Sequence, residues 1–317
     1  MAILGLKTPR HLWNPTNPGA TNLDEFRYTV NAKRHLNLQN YLDLHAWSTD
    51  PATAADFWTD LFEYENLKPG SVPESLPNTQ VRPNSIFVRC SYRTITDIER
   101  LLQDFRMFPR PAFFPDVRLN FAEHVLHKKP AEEVAIVACR EGGISIQEFR
   151  WRELYEQVEI MADAMRQSGL KKGDRVAAII SNCIEAVIAC LATLSIGAIF
   201  STSSPDMGVS GIMARLNQIK PRLVVFETSI LYNGKTRGLM DKVEQCTKEL
   251  LQIREFRDLI LVQREGSSKP NLPPRTIFWT DFNKRAQGQK LVFEQVEFDH
   301  PGFIVYSSGT VGRSHLF

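Results

Sequence analysis

The chain has 317 residues, of which 43% are hydrophobic and 23% charged, and its net charge is +2. That length suffices for one large domain or two smaller ones, and the near balance of charge gives no reason to expect nucleic acid or an acidic membrane as the main partner. Five cysteines, scattered with no CxxC pair and no His cluster at metal spacing, argue against a disulfide framework and against structural zinc.

The opening run Met1-Ala2-Ile3-Leu4-Gly5-Leu6-Lys7 is too short for the apolar core of a signal peptide and soon meets Pro9 and Arg10. Residues up to about 100 are rich in Trp, Pro, Asn and Asp and show little strand alternation. Asn40 to Trp47 and Thr53 to Tyr64 place aromatics at helical spacing, as with Phe57, Leu61 and Tyr64. Pro69, Pro73, Pro77 and Pro83 then interrupt any long element. This stretch reads as a helical N-terminal accessory region, with Trp13, Trp47 and Trp58 expected to pin it onto the main domain.

From about Glu133 the pattern turns into an α/β alternation. Val134 to Ala138 reads as a strand, Glu141-Gly142-Gly143 as a turn, and Ile144 to Phe149 as the partner strand. Trp151, Leu154, Val158, Met161, Ala162 and Met165 share one helical face, and Gly169 stands where a left-handed C-terminal cap belongs. Arg175 to Ile180 is the next strand. Asn182 is the expected N-cap of a nearly all-apolar helix through Ile196, which Gly197 ends. Because Thr193, Ser195 and Gly197 interrupt the apolar run from Ala186 to Phe200, a buried helix fits it better than a membrane span. A soluble, cytoplasmic protein is expected.

Further on, helices are expected at Val209 to Ile219 and near Leu239 to Leu251, and strands at Leu223 to Phe226 and Leu259 to Val262. Arg264 to Pro274 reads as a polar loop. Phe303-Ile304-Val305-Tyr306 is a last apolar run leading into Ser307-Ser308-Gly309-Thr310. Alternating strands and helices predict an α/β fold with a mostly parallel sheet flanked by helices. Ligands gather at the carboxyl ends of such strands, where hydroxyls and amides of a glycine-permitted turn can bind phosphate. The P-loop pattern G-x-x-x-x-G-K-[ST] is absent. On this segment alone, an ordinary turn and a phosphate loop both stay open.

Other segments add weight to the second reading. Phe303 to Thr310 resembles the start of the phosphate-loop motif of the adenylate-forming acyl-CoA synthetase and luciferase superfamily. Gly169-Leu170-Lys171-Lys172-Gly173-Asp174-Arg175-Val176 resembles the helix-to-strand turn of its first subdomain. Phe114 to Glu123 (FPDVRLNFAE) is similar to a segment of the acetyl- and acetoacetyl-CoA synthetase branch. Leu12-Trp13-Asn14-Pro15 and Thr21-Asn22-Leu23-Asp24-Glu25-Phe26 are more similar to acetoacetyl-CoA synthetases than to acetyl-CoA synthetases.

The resemblance implies residues 1–112 as an accessory region and 113–317 as an incomplete AMP-binding domain. It implies a ligase that uses ATP with Mg2+ to adenylate a short-chain acid, acetoacetate in the nearest branch, and then passes the acyl group to CoA. Ser307, Ser308, Gly309, Thr310 and Gly312 would line the β and γ phosphates, with Tyr306 packed beneath them. No catalytic residue is assigned by the motifs. The family pattern continues Thr-Gly-x-Pro-Lys, whereas this chain reads Val311-Gly312-Arg313-Ser314-His315-Leu316-Phe317. Val311 loses a hydroxyl, and neither Arg313 nor His315 stands at the lysine position. The chain alone is therefore expected to form no acyl-adenylate. An unspliced intron after Thr310 would read through as Val-Gly, since valine codons begin with GT; a decaying gene is the rival account. A truncated homologue acting as a noncatalytic binding module, or a synthetase for another short-chain acid, stays open.

The remaining polar candidates have plain readings. His45, His124 and His127 are dispersed, without a partner at triad or metal spacing. Arg140, Glu141 and Gly142 belong to a solvated turn, and Lys171-Lys172 faces water. Cys183 and Cys190 read as small buried hydrophobes.

Overall fold

The computed structural model describes residues 16–17, 19–65, 117–143, 146–264 and 271–306. They fall into two compact units, one within residues 16–65 and the other within 117–306.

The first unit is three helices: α1 (Asn22–Arg34), α2 (Tyr41–Thr49) and α3 (Ala54–Tyr64). Thr21 starts α1 by accepting the Asp24 N–H, at 3.2 Å. Asp24 and Glu25 in the first turn and Lys33 and Arg34 in the last complement the helix dipole. Asn40 caps α2 by accepting from Leu42 and Asp43. Phe26, Val30, Leu44 and Trp47 form the core, with Phe57, Leu61 and Tyr64 packed against it. The Trp47 ring meets Phe57 edge-on at 5.8 Å, so Trp47 anchors its own unit. Trp58 is 40% exposed, and Trp13 lies outside the described residues. Buried Asp60 is paired with Lys33 and Arg34, which ties α3 to α1.

The second unit begins with β1 (Arg118–Leu119), α4 (Phe121–Leu126), the hairpin β2 (Val134–Ala138) and β3 (Gln147–Arg150), and α5 (Trp151–Gln167). The alternation then runs β4 (Arg175–Ile179), α6 (Ile184–Ser195), β5 (Ile199–Ser203), α7 (Val209–Ile219) and β6 (Leu223–Glu227). A second hairpin, β7 (Ser229–Tyr232) and β8 (Lys235–Gly238), precedes α8 (Met240–Leu250) and β9 (Asp258–Val262). The described chain closes with β10 (Thr276–Phe278), α9 (Trp279–Asn283), β11 (Val296–Glu297) and β12 (Phe303–Ile304).

Six strands form one parallel sheet in the order β10-β9-β6-β4-β5-β12. Strands buried on both faces must be apolar at every position, and alternate residues supply the two cores. Val176, Ala178, Leu223, Val225, Ile260 and Val262 face the layer of α4, α5, α6 and α9. Ala177, Ile179, Val224, Phe226, Leu259 and Leu261 face α7 and α8. Each fully buried Leu, Ile or Phe contributes about 1.5–3 kcal/mol, which makes these two layers the main source of stability.

The glycine stops are where the sequence places them. Gly169 (φ +79°) and Gly197 (φ +71°) are left-handed, and the N–H groups of Leu170 and Ala198 bond back to Met165 and Thr193 in Schellman fashion. Asn182 is not the N-cap of α6. Cys183 takes the cap position, with no side-chain cap bond, and the helix starts at Ile184. The reason lies one residue earlier, where the Ser181 N–H and hydroxyl are both bound to Glu227 and the chain stays extended before turning. Among the described residues no helix is long and apolar enough to cross a membrane.

Candidate functional site

In an open parallel sheet the ligand crevice lies at the carboxyl ends of the strands, where strand order reverses. This order reverses twice. β5 and β6 flank β4 on opposite sides, and β12 crosses back to pair with β5.

At the first reversal the strand ends are bridged by the protein's own charges. Glu227, the last residue of β6, is 1% exposed and accepts the Ser181 N–H at 2.7 Å and the Ser181 hydroxyl at 3.1 Å. Arg264 donates through Nε to the same carboxylate at 2.8 Å, and through Nη1 to Glu185 in the first turn of α6, also at 2.8 Å. Its main-chain N–H donates to the Thr228 hydroxyl. Burial opposes the guanidinium charge, but Glu185 and Glu227 outweigh it and raise the Arg264 pKa above the ordinary arginine value.

At the second reversal, β12 runs parallel to β5 with Phe303 opposite Phe200 and Ile304 opposite Ser201. Tyr306 follows. Its hydroxyl donates to the Arg215 carbonyl at 3.2 Å, and the Arg215 guanidinium lies 4.9 Å from its ring centroid. Burial pushes the Tyr306 phenol up, against the opposing pull of Arg215. β5 leaves into the stretch 204–208, which Lys242 on α8 holds by donating to the Met207 carbonyl at 2.7 Å and to the Pro205 carbonyl. The phosphate-loop residues Ser307, Ser308, Gly309, Thr310 and Gly312 lie outside the described residues, as do Val311, Arg313 and His315. Tyr306 is packed down on α7 with its hydroxyl engaged.

The other candidates do not converge on a site. Among the described residues, no group of three or more His, Cys, Asp and Glu side chains is placed to hold a metal ion. Burial pushes the Cys183 thiol up to about 11 and that of Cys190 to about 12, which leaves both protonated and unreactive at neutral pH. His45 and His127 are exposed and His124 half-buried. Arg140, Glu141 and Gly142 sit exposed at their turn, where Glu141 accepts the Gly234 N–H at 3.2 Å; Lys171 and Lys172 are exposed.

Sequence reasoning missed four side chains that shape this end of the sheet: Glu227, Arg264, Arg215 and Lys242. A signal existed for one of them. Glu227 closes the all-apolar strand Leu223-Val224-Val225-Phe226, and a carboxylate there requires a buried partner. Arg215 and Lys242 look like ordinary charged positions on amphipathic helices.

The topology and the loop position define an open parallel α/β domain of the kind that binds ligands at its strand ends. Residues 122–314 match the family of AMP-binding enzymes, and the chain belongs to that family. It is 34% identical to an acetoacetyl-CoA synthetase of Macaca fascicularis over 304 residues, covering 95% of this chain and 41% of that protein. A malonamoyl-CoA synthetase of Penicillium aethiopicum is 32% identical, over 95% of this chain and 39% of that protein. The solved acetoacetyl-CoA synthetase of Streptomyces lividans superposes with a TM-score of 0.77 at 27% identity, over 97% of this chain and 43% of that one. The chain thus spans about two fifths of the length of these relatives.

Proposed function

We propose that the chain is the nucleotide-phosphate side of an acetoacetyl-CoA synthetase-type ligase, cytoplasmic, with residues 1–112 as its accessory region and 113–317 belonging to its AMP-binding domain. The observation that carries this reading is β12, a parallel strand paired with β5 whose carboxyl end leads through the anchored Tyr306 into Ser307-Ser308-Gly309-Thr310. Hydroxyls and amides of that loop, with Gly312, would hold the β and γ phosphates of ATP. The acid's carboxylate oxygen then bonds to the α phosphorus as the bond to pyrophosphate breaks. The CoA sulfur next bonds to the acyl carbon as AMP leaves. Mg2+ would arrive with the nucleotide and neutralise phosphate charge, and no step is assigned to a protein metal ligand.

Acetoacetate is favoured by the acetoacetyl-CoA synthetases among the relatives, and another short-chain acid by the malonamoyl-CoA synthetase. Val311 stands where the family motif has a hydroxyl, and the 317 residues span two fifths of the relatives' length. Because Val311 lacks that hydroxyl, no pyrophosphate release is expected from the chain assayed alone, and titration decides whether it binds MgATP. Calorimetric titration with MgATP, repeated on Ser308→Val and Thr310→Val, tests the reading. Binding that both variants weaken supports it; no MgATP binding at millimolar concentration removes it. Acetoacetate-dependent pyrophosphate release would overturn the inactive state of the isolated chain.

A further inference from the structure

The strands of a parallel sheet have their amino ends at the edge away from the ligand crevice, and here that edge is basic. Arg175 opens β4, Arg222 precedes β6, Arg257 precedes β9 and Arg275 precedes β10, four strands that are neighbours in the sheet. Arg175, Arg222 and Arg257 stand side by side: the Arg222 N–H donates to the Arg175 carbonyl and the Arg257 N–H to the Arg222 carbonyl, each at 2.8 Å. Adjacent strands are about 4.8 Å apart, so these three like charges form a rank of about 10 Å, with Arg275 beyond them on β10. Like charges side by side on neighbouring strands repel.

Folding explains part of this rank. Arg175 donates through Nε to the Ile219 carbonyl and through Nη2 to the Lys220 carbonyl, each at 2.8 Å, and so closes the end of α7. Arg257 and Arg275 donate to the Phe256 carbonyl, at 3.2 and 2.8 Å. Arg222 lies 3.7 Å from Asp174, too far for a hydrogen bond, and its Nε has no acceptor. A surplus remains. Lys171, Lys220 and Arg254 are exposed at the same edge, and their side chains make no hydrogen bond or ion pair among the described residues. Lys220 (φ +48°) and Arg275 (φ +57°) also hold the left-handed conformation that favours glycine, so charge is kept at this edge against a backbone preference. The chain as a whole carries only +2, which makes the edge a local asymmetry.

We propose that this edge is a docking surface for an acidic segment of a partner protein, its carboxylates laid along the rank of Arg175, Arg222 and Arg257 and drawn in by the exposed basic flanks. Guanidinium N–H groups take carboxylates in paired hydrogen bonds. One face of an extended peptide repeats about every 7 Å, so two or three acidic side chains match a rank of this length. Single-stranded nucleic acid would call for exposed aromatic rings to stack on, and a membrane surface for exposed apolar side chains. These segments expose neither, and Phe256, the aromatic residue among them, is fully buried. The proposal does not rest on the nucleotide reading.

The test is fluorescence anisotropy of labelled octaglutamate with the 317-residue chain, at about 50 and about 300 mM NaCl. Saturable binding that weakens with salt is expected. Lys220→Gln with Arg254→Gln removes two charges that hold nothing in the fold. Its unfolding midpoint should stay within about 2 °C of the wild type while affinity falls about three- to tenfold. Arg257→Gln, in the rank itself, should weaken binding about threefold. Lys128→Gln with Arg152→Gln removes two charges beside the start of α5 and should leave affinity within about twofold. No saturable binding at the lower salt, equal losses in the two double variants, or Arg257→Gln binding as the wild type does, overturns the proposal. So does tighter binding of phosphatidylserine vesicles or oligothymidylate through Lys220 and Arg254, which would assign the edge to lipid or nucleic acid.

Discussion

The Nε of Arg264 lies 2.8 Å from Oε2 of Glu227, and the two side chains are 8% and 1% exposed. This pair joins the end of β6 to the residue two past the end of β9. Removing one member of a buried pair leaves the other charged and without its counterion, at a cost of about 3–5 kcal/mol. Arg264→Met should lose about that much in urea unfolding. Glu227→Gln keeps an acceptor for Ser181 and should lose less, about 1–3 kcal/mol. If Arg264→Met unfolds within about 1 kcal/mol of the wild type, the network is not the structural bridge described here.

A second prediction concerns backbone conformation. Gly197 has φ +71°, and an added Cβ would stand 3.0 Å from Cγ of Glu294, 3.2 Å from Val296 and 3.3 Å from Lys172. Gly142 has φ +81° with nothing within 4 Å. Gly142→Ala should cost about 1 kcal/mol, from the left-handed conformation alone. Gly197→Ala should cost about 2–3 kcal/mol, because crowding adds to the same strain. Thermal or urea midpoints that rank the two equally would show that the neighbours of Gly197 give way freely.

These glycines show what the sequence made legible. A helical pattern ending on glycine needs no tertiary knowledge, so the stops at Gly169 and Gly197 could be read directly, and the apolar spacing of Ile212, Met213, Leu216 and Ile219 gave the span of α7. The parallel sheet was legible because Val176 to Ile179 and Leu223 to Phe226 are apolar at every position, which only burial on two faces explains. The hairpin of β7 and β8 and the strand β10 escaped notice. Tyr232-Asn233-Gly234-Lys235 is short and polar on its second arm, and Thr276 to Phe278 has only three residues, paired solely with β9. The Asn182 cap failed for a tertiary reason, since a carboxylate 46 residues away holds Ser181. Arg264 reaches Glu227, Arg215 reaches Tyr306 and Lys242 reaches the Met207 carbonyl only once the sheet has assembled, and no local pattern names those partners.

The cysteines give a pH prediction. Burial pushes Cys183 up to about 11, Cys190 to about 12 and Cys246 to about 11, from an ordinary value of 9.0. A raised thiol pKa means the folded state holds protons that the unfolded chain releases, so stability is complete below pH 9 and falls between about 9 and 11–12. Each thiol contributes at most about 1.4 kcal/mol per pH unit in that window. Replacing Cys190 with Ala should flatten the decline, as read by urea midpoints at pH 8, 9 and 10. Thiol labelling at pH 8 should favour exposed Cys139 over half-buried Cys183 and Cys190 and buried Cys246; equal rates would mean that the four are equally accessible.

Asn120 supports the sharpest test of packing, because its two ends do opposite jobs. Its Oδ1 accepts the N–H groups of Ala122 and Glu123, at 3.0 and 3.2 Å, and so caps α4. Its Nδ2 donates to the carbonyls of Leu194 and Glu294, at 2.9 and 2.8 Å, satisfying one of the last carbonyls of α6 and stapling residue 294 beside it. The residue is 3% exposed. Asn120→Asp keeps the cap and turns the donor end into an oxygen facing two carbonyls. The variant should lose about 3 kcal/mol at neutral pH, since the donors vanish and a carboxylate is buried against acceptors. Burial and those carbonyls would raise the new carboxyl's pKa in the folded state, so its protonated form can donate again. The deficit relative to wild type should therefore shrink as pH falls through that raised pKa and be full above it. Asn120→Ser, which also keeps the cap oxygen but cannot span to α6, should show a smaller deficit that does not change with pH. An Asn120→Asp variant as stable as the wild type at neutral pH would mean that the donor end contributes nothing and the cap alone explains the residue.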